Sequence, residues 1–189
     1  MNVNEVIANL ALRNSNLKID PNDDVNMSQS SNDVIPTAIK VSAHMDLTKK
    51  LLPALDKLIE ITDKKANSLK GLVKTGRTHL MDAMPLDFHQ EISAWTSQLK
   101  NSKKTFLFLE KRMLEMPLGG TAVGTGINAH PRFPKLFAKE LNKLSGGRWK
   151  NVPSENFFHE LSAQDTAVQV SGELKLSLIH ISEPTRLRR

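Results

Sequence analysis

Two stretches in which apolar residues recur at steps of three and four constrain the fold of this chain more than any other feature. The first runs from Ile35 to Val73 as a single stripe over many helical turns. The second follows Pro85 and forms a near-heptad seam suited to packing against long neighbouring helices. The seam consists of Ile92, Trp95, Leu99, Ser102, Phe106, Leu109, Met113 and Met116. Because such helices gain most of their stability from packing, the sequence predicts an all-α fold, a long-helix bundle.

Prolines and glycines divide this helical pattern. Pro53 lies inside the first stripe and predicts a kink near residue 50, whereas Pro117 and Gly119 end the second long helix. Shorter helices are predicted at 131–144 and 155–175, and strand signals are few. Three polar or glycine-rich connections join the helices, at 18–33, 74–84 and 117–130. Functional residues tend to lie in loops held by a rigid scaffold, so these connections are the places to look for a site.

The composition excludes several classes of protein. The 189 residues include no cysteine, which rules out disulfides, thiolate metal sites and a catalytic cysteine. No window is apolar enough to span a membrane, and the first residues lack the pattern of a secretory signal, so we expect a cytoplasmic protein without a membrane partner. The net charge of +6 is typical of a solvated basic surface, although an anionic partner stays open. No basic helix interleaved with aromatic residues supports binding to nucleic acid.

A run of polar side chains from Ser28 to Asp33 comes just before the first long helix. Ser30, Ser31 and Asn32 offer hydroxyl and amide donors near the positive end of a helix dipole, which favours a carboxylate or phosphate. The alternative is simple capping, in which Asn32 or Asp33 accepts from free N–H groups of the first turn. The spacing leaves both interpretations open.

The stretch KTGRTHLMDAMPL, residues 74–86, contains the best candidate for acid–base chemistry. Gly76 allows a tight turn, after which Arg77, Thr78 and His79 project a cation, a hydroxyl and an imidazole. Histidine titrates near neutrality, so His79 can act as a general acid or base. The alternative is a packing histidine, the commoner state of an isolated one. No histidine has a second histidine or a carboxylate at metal-ligand spacing, so we predict no metal site.

The stretch PLGGTAVGTGINAHP, residues 117–131, is rich in glycine. It lacks the Gly-Lys-Ser/Thr ending of a phosphate-binding loop, and no strand precedes it. We interpret it as a tight connection between helices, with glycines where φ must be positive. The acidic run Asp20–Asp24 indicates a solvated turn.

Five motifs, taken together and in this order, resemble the class II fumarate hydratases, which belong to the fumarase/aspartase superfamily of helical tetrameric lyases. They are MNVNEVIANLA (1–11), PNDDVNMSQSSND (21–33), GRTHLMDAMPL (76–86), QEISAW (90–95) and GGTAVGTGINAHP (119–131). The similarity runs from Met1 to about Lys175. The chain resembles fumarases rather than aspartases at Ser31, His79 and Gly120, because aspartases typically carry Thr, Gln and Ala at those positions.

The resemblance implies an activity, the reversible addition of water to fumarate to give L-malate, without a cofactor. It implies that Ser30, Ser31, Asn32 and Thr78 bind the substrate carboxylates. It also implies that His79 is the catalytic histidine that handles the attacking or departing water.

The resemblance further implies a second, non-catalytic dicarboxylate site that includes Asn22 and Asp23. The family usually has histidine where this chain has Asp20, and an added carboxylate would repel a dicarboxylate. The implied assembly is a homotetramer whose long helices form a central bundle, with each active site built from several subunits.

The resemblance covers only a central piece of the family's length. The later loop that carries the family's catalytic serine is absent, so we expect the isolated fragment to be inactive. We expect residues 1–175 to be a partial lyase domain of incomplete bundle type. We expect LSLIHISEPTRLRR, residues 176–189, to be a non-native tail, because it matches no part of the family.

Two alternative functions stay open. One is another lyase of the same superfamily, which a broader substrate screen would detect. The other is a non-catalytic helical interaction module that uses a basic face and binds an acidic partner in a salt-sensitive way.

Overall fold

The structure, a computed structural model, describes residues 2–15 and 17–182. The chain divides into two compact units. The first unit contains the residues up to Val41 together with Leu114–Gln164, and the second contains Ser42–Met113 together with the residues from Asp165 onward. Within the described ranges, no helix is both long and apolar enough to cross a membrane.

Helices dominate both units. The α-helices are α1 (Asn2–Ser15), α2 (Ser31–Asp46), α3 (Leu52–Ser68), α4 (Phe88–Met113), α5 (Phe133–Leu144), α6 (Phe157–Ser162) and α7 (Asp165–Ser182). Two π-helical turns cover Pro21–Val25 and Leu47–Leu51. The strands are β1 (Val73–Thr78), β2 (Met81–Asp87), β3 (Glu115–Met116) and β4 (Val152–Pro153). This architecture confirms the predicted helical bundle class.

Several predicted boundaries can be compared with the described residues. Near residue 50, where a kink was predicted, the helix is interrupted by the π-helical turn Leu47–Leu51, which lies between α2 and α3. The helix expected at 131–144 is α5. The helix expected at 155–175 is instead two helices, because Ala163 adopts an extended conformation between α6 and α7. Helix α7 continues through residues 176–182, and the remaining seven residues of the expected tail lie outside the described part.

The connection expected at 74–84 is wrong in form, because it is an antiparallel hairpin of β1 and β2. Gly76 does not make the turn; it lies at an irregularity in β1, where an added Cβ would lie 2.4 Å from the carbonyl oxygen of Met84. The turn consists of His79 and Leu80, with φ of 50° and 62°. These values match a two-residue hairpin turn of type I′.

Helix α4 begins where the hairpin ends. The carboxylate of Asp87 accepts hydrogen bonds from the backbone N–H groups of His89 and Gly71, each at 2.6 Å. These bonds, that of Gly71 above all, hold the pKa of Asp87 below its ordinary value. The carboxylate therefore caps α4 and fixes the base of the hairpin.

The core of the second unit confirms the heptad seam from Leu99 to Met113. Helix α4 packs against both α3 and α7. The buried apolar core consists of Leu47, Leu52, Leu55, Leu99, Phe106, Leu109, Met113 and Val170. Each of these large side chains stabilises the fold by about 1.5–3 kcal/mol through burial.

The first unit positions the glycine-rich stretch. Strands β3 and β4 pair in parallel, and the buried residues Met116, Pro117 and Leu118 lead from β3 into that stretch. It has no regular secondary structure, as predicted, and it contains positive φ values at Gly119, Gly124 and Gly126.

Candidate functional site

The serine-rich stretch forms a reciprocal cap at the start of α2. The Oγ of Ser30 accepts a hydrogen bond from the backbone N–H of Asn32 at 3.2 Å. In return, Oδ1 of Asp33 accepts from the backbone N–H of Ser30 at 2.9 Å. Ser30 therefore caps the first turn of α2, while Asp33 reaches back from that turn to the backbone N–H of Ser30, as the second half of a capping box does. A cap is therefore present, but Ser30 supplies it. Asp33, one of the two residues predicted to accept from the first turn, accepts instead from Ser30 and from the glycine-rich stretch.

Asp33 also binds the glycine-rich stretch. Its Oδ2 accepts from the backbone N–H groups of Gly119, at 3.0 Å, and Thr121, at 2.9 Å. The side chain is fully buried, with 0% exposure. Gly119 has φ of 112°, and a Cβ there would lie 2.2 Å from Cγ of Pro134, so this position requires glycine. Asp33 thus joins two loops that lie far apart in the sequence.

Helix α6 packs closely against the glycine-rich stretch at Gly120. A Cβ on Gly120 would lie 3.0 Å from Phe157 and from Leu161, so the backbone approaches α6 closely. The same helix carries Glu160, which forms a buried ion pair with Lys40 of α2. The Nζ of Lys40 also donates to the carbonyl oxygen of Glu115 at 2.9 Å. These charges are compensated by direct partners, as buried charges must be.

A cavity of about 370 Å³ lies between the serine-rich and glycine-rich stretches. This volume lies within the usual range of small-molecule sites. Its lining residues are Ser28, Gln29, Ser30, Thr121, Ala122, Ile127 and Asn128. The lining carries hydroxyl and amide groups beside two apolar side chains, and none of these seven residues is charged. With the N-terminus of α2 adjacent, such a surface suits a small anion with a short carbon skeleton.

The three substrate-binding residues expected here differ in their surroundings. Ser30 lines the cavity. Ser31 and Asn32 are exposed in the first turn of α2. The Nδ2 of Asn32 donates to the carbonyl oxygen of Ala122 at 2.8 Å, so this amide also joins the two stretches. The structure brings all three residues to one end of one helix.

Asn22 and Asp23, expected at a second dicarboxylate site, are exposed in the first π-helical turn. Their backbone N–H groups donate to Oδ1 of Asp20, at 2.7 Å for Asn22 and 2.9 Å for Asp23. The bond from Asp23, followed by that from Asn22, holds the pKa of Asp20 below its ordinary value. The carboxylate of Asp20 therefore already takes the donors that an anion would use at this turn.

Thr78 and His79 belong to the second unit, where they end β1 and begin the hairpin turn. Both side chains are exposed. Beside them, Nε of Arg77 donates to Oδ1 of Asp82 at 3.2 Å across the hairpin. The tip therefore presents a hydroxyl and an imidazole on a paired backbone, rather than burying the histidine as the packing alternative required.

His44 is the buried histidine of the second unit, with 3% exposure. Its Nε2 lies 3.3 Å from Oε1 of Glu110 on α4. Burial lowers the pKa of His44 from its ordinary value, and the nearby Glu110 carboxylate opposes part of that effect. Its place inside the bundle indicates a structural role. Over residues 2–15 and 17–182, no group of three histidine or carboxylate side chains is arranged to hold a metal ion.

Comparison with known proteins gives one family. A family model described as "Lyase" matches residues 1–186. The class II fumarate hydratase of Xylella fastidiosa (strain 9a5c) is 47% identical to this chain, over 98% of the chain and 40% of the relative. That of Bacillus subtilis (strain 168) is 48% identical, over 93% of the chain and 38% of the relative.

Solved structures agree. The class II fumarase of Schistosoma mansoni has a TM-score of 0.84 and 32% identity, and the match covers 95% of this chain and 41% of that protein. A fumarate lyase:delta crystallin of Brucella melitensis has a TM-score of 0.87 and 35% identity, with coverage of 97% and 40%. This chain spans about two fifths of the length of these relatives. It belongs to the lyase family that includes the class II fumarate hydratases.

Proposed function

We propose that the full-length protein containing this chain is a fumarate hydratase, which adds water reversibly to fumarate to give L-malate. The observation that carries the proposal is the cavity between Ser28–Ser30 and the glycine-rich stretch. It presents neutral donors near a helix N-terminus, and it lies in a chain 47% identical to a class II fumarate hydratase. Because the chain spans only two fifths of such relatives, the activity is that of the complete protein.

The reaction requires donors that hold the two carboxylates, including the extra negative charge that develops when L-malate, in the dehydration direction, loses a proton from the carbon next to a carboxylate. We assign Ser30, Ser31 and Asn32 to one carboxylate, because all three lie in the first turn of α2 or just before it. The exposed hydroxyl of Thr78 is a further carboxylate ligand in this proposal.

His79 acts in the proposal as the group that protonates the departing hydroxide, which leaves as water, or that removes a proton from the attacking water in the reverse direction. Its exposed position at a hairpin tip leaves the imidazole accessible to substrate. The proton on carbon is removed by a serine on a later loop that this chain does not contain, as the family resemblance implies. Residues 1–175 form the partial lyase domain in this scheme. We retain the proposal that residues 176–189 are a non-native tail, although the family match runs to residue 186 and α7 continues to Ser182.

Asp20 opposes the binding of a second dicarboxylate at Asn22 and Asp23. The carboxylate of Asp20 accepts from both backbone N–H groups there. We propose that any dicarboxylate binding at this turn is much weaker than in relatives with histidine at this position. The complete protein is proposed to be a cytoplasmic homotetramer that uses no cofactor.

The test is a chimeric enzyme, called the complemented enzyme below, in which residues 1–175 replace the corresponding segment of the Bacillus subtilis class II fumarate hydratase. We expect it to interconvert fumarate and L-malate. The ultraviolet absorbance of fumarate measures the rate. The His79→Ala variant is expected to lose activity by about 10²–10⁴-fold, the usual contribution of acid–base catalysis. The matched control is His130→Ala, an exposed histidine outside the cavity lining, which should leave the rate unchanged.

The same preparation separates the alternative functions. Turnover of aspartate or argininosuccinate in place of fumarate would assign another lyase reaction. An inactive complemented enzyme that binds nucleic acid in a salt-dependent way would support the non-catalytic module. The 189-residue chain alone is expected to have negligible hydratase activity, and measurable turnover by it would contradict the proposed need for the later loop.

A further inference from the structure

Thr121 carries a buried hydroxyl for which the described residues provide no hydrogen-bond partner. The residue is 5% exposed, and its Oγ1 is fully enclosed without a donor or acceptor among residues 2–15 and 17–182. A buried hydroxyl without a partner destabilises a fold, and such groups are rare in native proteins. Thr121 lines the cavity described above. Because Oγ1 itself is enclosed, the hydroxyl reaches a ligand in the cavity by rotation about χ1.

The backbone of Thr121 is held in an unfavourable conformation. Its φ is 57°, in the left-handed region that β-branched residues rarely adopt. The hydrogen bond from its N–H to Oδ2 of Asp33 holds it there. Strained residues held by their surroundings cluster at binding and catalytic sites. Glycine would adopt this φ without strain but would not supply the hydroxyl.

The rest of the cavity indicates what the hydroxyl would bind. Ser28 and Ser30 contribute two more hydroxyls, whereas Ala122 and Ile127 contribute apolar surface. The Oγ of Ser28 donates to the carbonyl oxygen of Asn128 at 3.5 Å, which links the two stretches at the cavity. Hydroxyl donors beside short apolar side chains fit a carboxylate attached to a small carbon skeleton.

We propose that Thr121 is a further substrate-binding residue, whose hydroxyl donates a hydrogen bond to a carboxylate of the bound dicarboxylate. This inference rests on the proposed function and adds a residue from the glycine-rich stretch to the serine-rich cap. Asp33 acts through Thr121 and Ser30 as a positioning residue, because it accepts from the backbone N–H groups of both.

The test is Thr121→Val in the complemented enzyme, a change that keeps the shape of the side chain and removes the hydroxyl. We expect KM for fumarate to rise about tenfold, the effect of one lost hydrogen bond. The melting temperature should stay the same or rise, because an unpaired buried hydroxyl is removed. Opposite effects on binding and stability are not expected of a structural hydroxyl.

Two further variants complete the design. Thr121→Ser, which retains the hydroxyl, should keep KM near that of the unmodified enzyme. Thr125→Val makes the same chemical change in an exposed residue of the same stretch that does not line the cavity, and should alter neither quantity. An unchanged KM in Thr121→Val would overturn this inference alone. Absence of activity in the unmodified complemented enzyme would overturn the proposed function and this inference with it.

Discussion

The carboxylate of Asp33 joins the start of α2 to the glycine-rich stretch in the first unit. It accepts three backbone N–H groups, from Ser30, Gly119 and Thr121, while its side chain is fully buried. Hydrogen bonds to an ionised acceptor are about twice as strong as neutral ones, so three of them compensate much of the cost of burial. No cation is needed in this arrangement, unlike at the Lys40–Glu160 pair.

Replacing Asp33 with asparagine tests this arrangement. Asparagine offers one acceptor oxygen and turns an NH₂ group toward donors, so at least one buried N–H group loses its partner. We expect the free energy of unfolding to fall by about 2–4 kcal/mol. Amide hydrogen exchange should accelerate at Gly119 and Thr121. The control is Asp46→Asn, which removes only an exposed ion pair with Lys50 and should change stability by a few tenths of a kcal/mol.

His44 gives the second unit a pH-dependent stability. Its pKa is lowered in the folded protein because burial disfavours the charged imidazolium. Protons therefore bind more tightly to the unfolded chain, and stability falls as the pH drops below about 6.5, the ordinary pKa of histidine. The urea midpoint measured between about pH 7.5 and pH 5.5 should fall less steeply in a His44→Gln variant than in the unmodified chain. Identical pH profiles would show that His44 contributes nothing to this dependence.

The residues of the site were only partly predictable. The sequence indicated a cap at the start of α2 but placed it at Asn32 or Asp33, whereas Ser30 is the residue whose side chain accepts from the first turn. The bonds from Asp33 to Gly119 and Thr121 span 86 and 88 residues, and no local pattern indicates them. The orphaned hydroxyl of Thr121 depends on the packing around it, so sequence reasoning had no signal for it.

Among the secondary-structure elements, the β1–β2 hairpin is the one that the sequence pattern did not predict. Its strands lack a clean alternation of apolar and polar residues, and its turn residues, His79 and Leu80, are not the Asn-Gly pair typical of type I′ turns. Leu80, Met81 and Met84 are strongly exposed, at 91%, 70% and 83%. Since neither face of the strands is buried in a regular pattern, hydrophobic periodicity could not reveal them.

Gly76→Ala tests the hairpin. The new methyl group would lie 2.4 Å from the Met84 carbonyl oxygen, so the two strands would have to separate. We expect faster amide exchange throughout β1 and β2 and a fall in stability of about 1–3 kcal/mol.

Gly172→Ala is the matched control for this substitution. Gly172 lies in α7, and no atom lies within 4 Å of an added Cβ. Alanine should stabilise that helix by roughly 0.5–1 kcal/mol, because it is the better helix former. Equal effects of the two substitutions would argue against close strand contact at Gly76.

Across the two units, the long helices were the most predictable feature, and the residues at which helices end were the least predictable. The seam from Leu99 to Met113 corresponds to a buried stripe on α4. Outside that stretch, Ile92 and Trp95 are only half-buried, and Met116 is buried but lies in β3, because α4 ends at Met113. The break between α6 and α7 falls at Ala163, which carries no proline or glycine signal. Apolar spacing determines which residues share a face, whereas helix ends depend on tertiary packing.

Exposed apolar residues on α1 predict self-association. Val3, Val6, Ile7 and Leu10 are 45–70% exposed and follow the i, i+3, i+4, i+7 spacing of one helix face. The buried Ala8 lies on the opposite face. We expect the chain to associate with itself as its concentration rises, which sedimentation velocity would measure. Leu10→Glu should weaken that association, whereas Asn9→Glu, outside the stripe, should not.

The hydrogen bonds from the glycine-rich stretch to Asp33 determine which sequence changes this junction tolerates during evolution. Its partners at Gly119 and Thr121 are main-chain amides, which every residue other than proline supplies. A substitution at Thr121 therefore leaves its N–H donor in place as long as the backbone path is kept, whereas Gly119 must stay glycine to keep that path. Genetic crossovers between codons 33 and 119 would join segments from different ancestors without breaking this junction. The junction therefore survives recombination between relatives that keep Asp33 and Gly119, because both of its donors are main-chain groups.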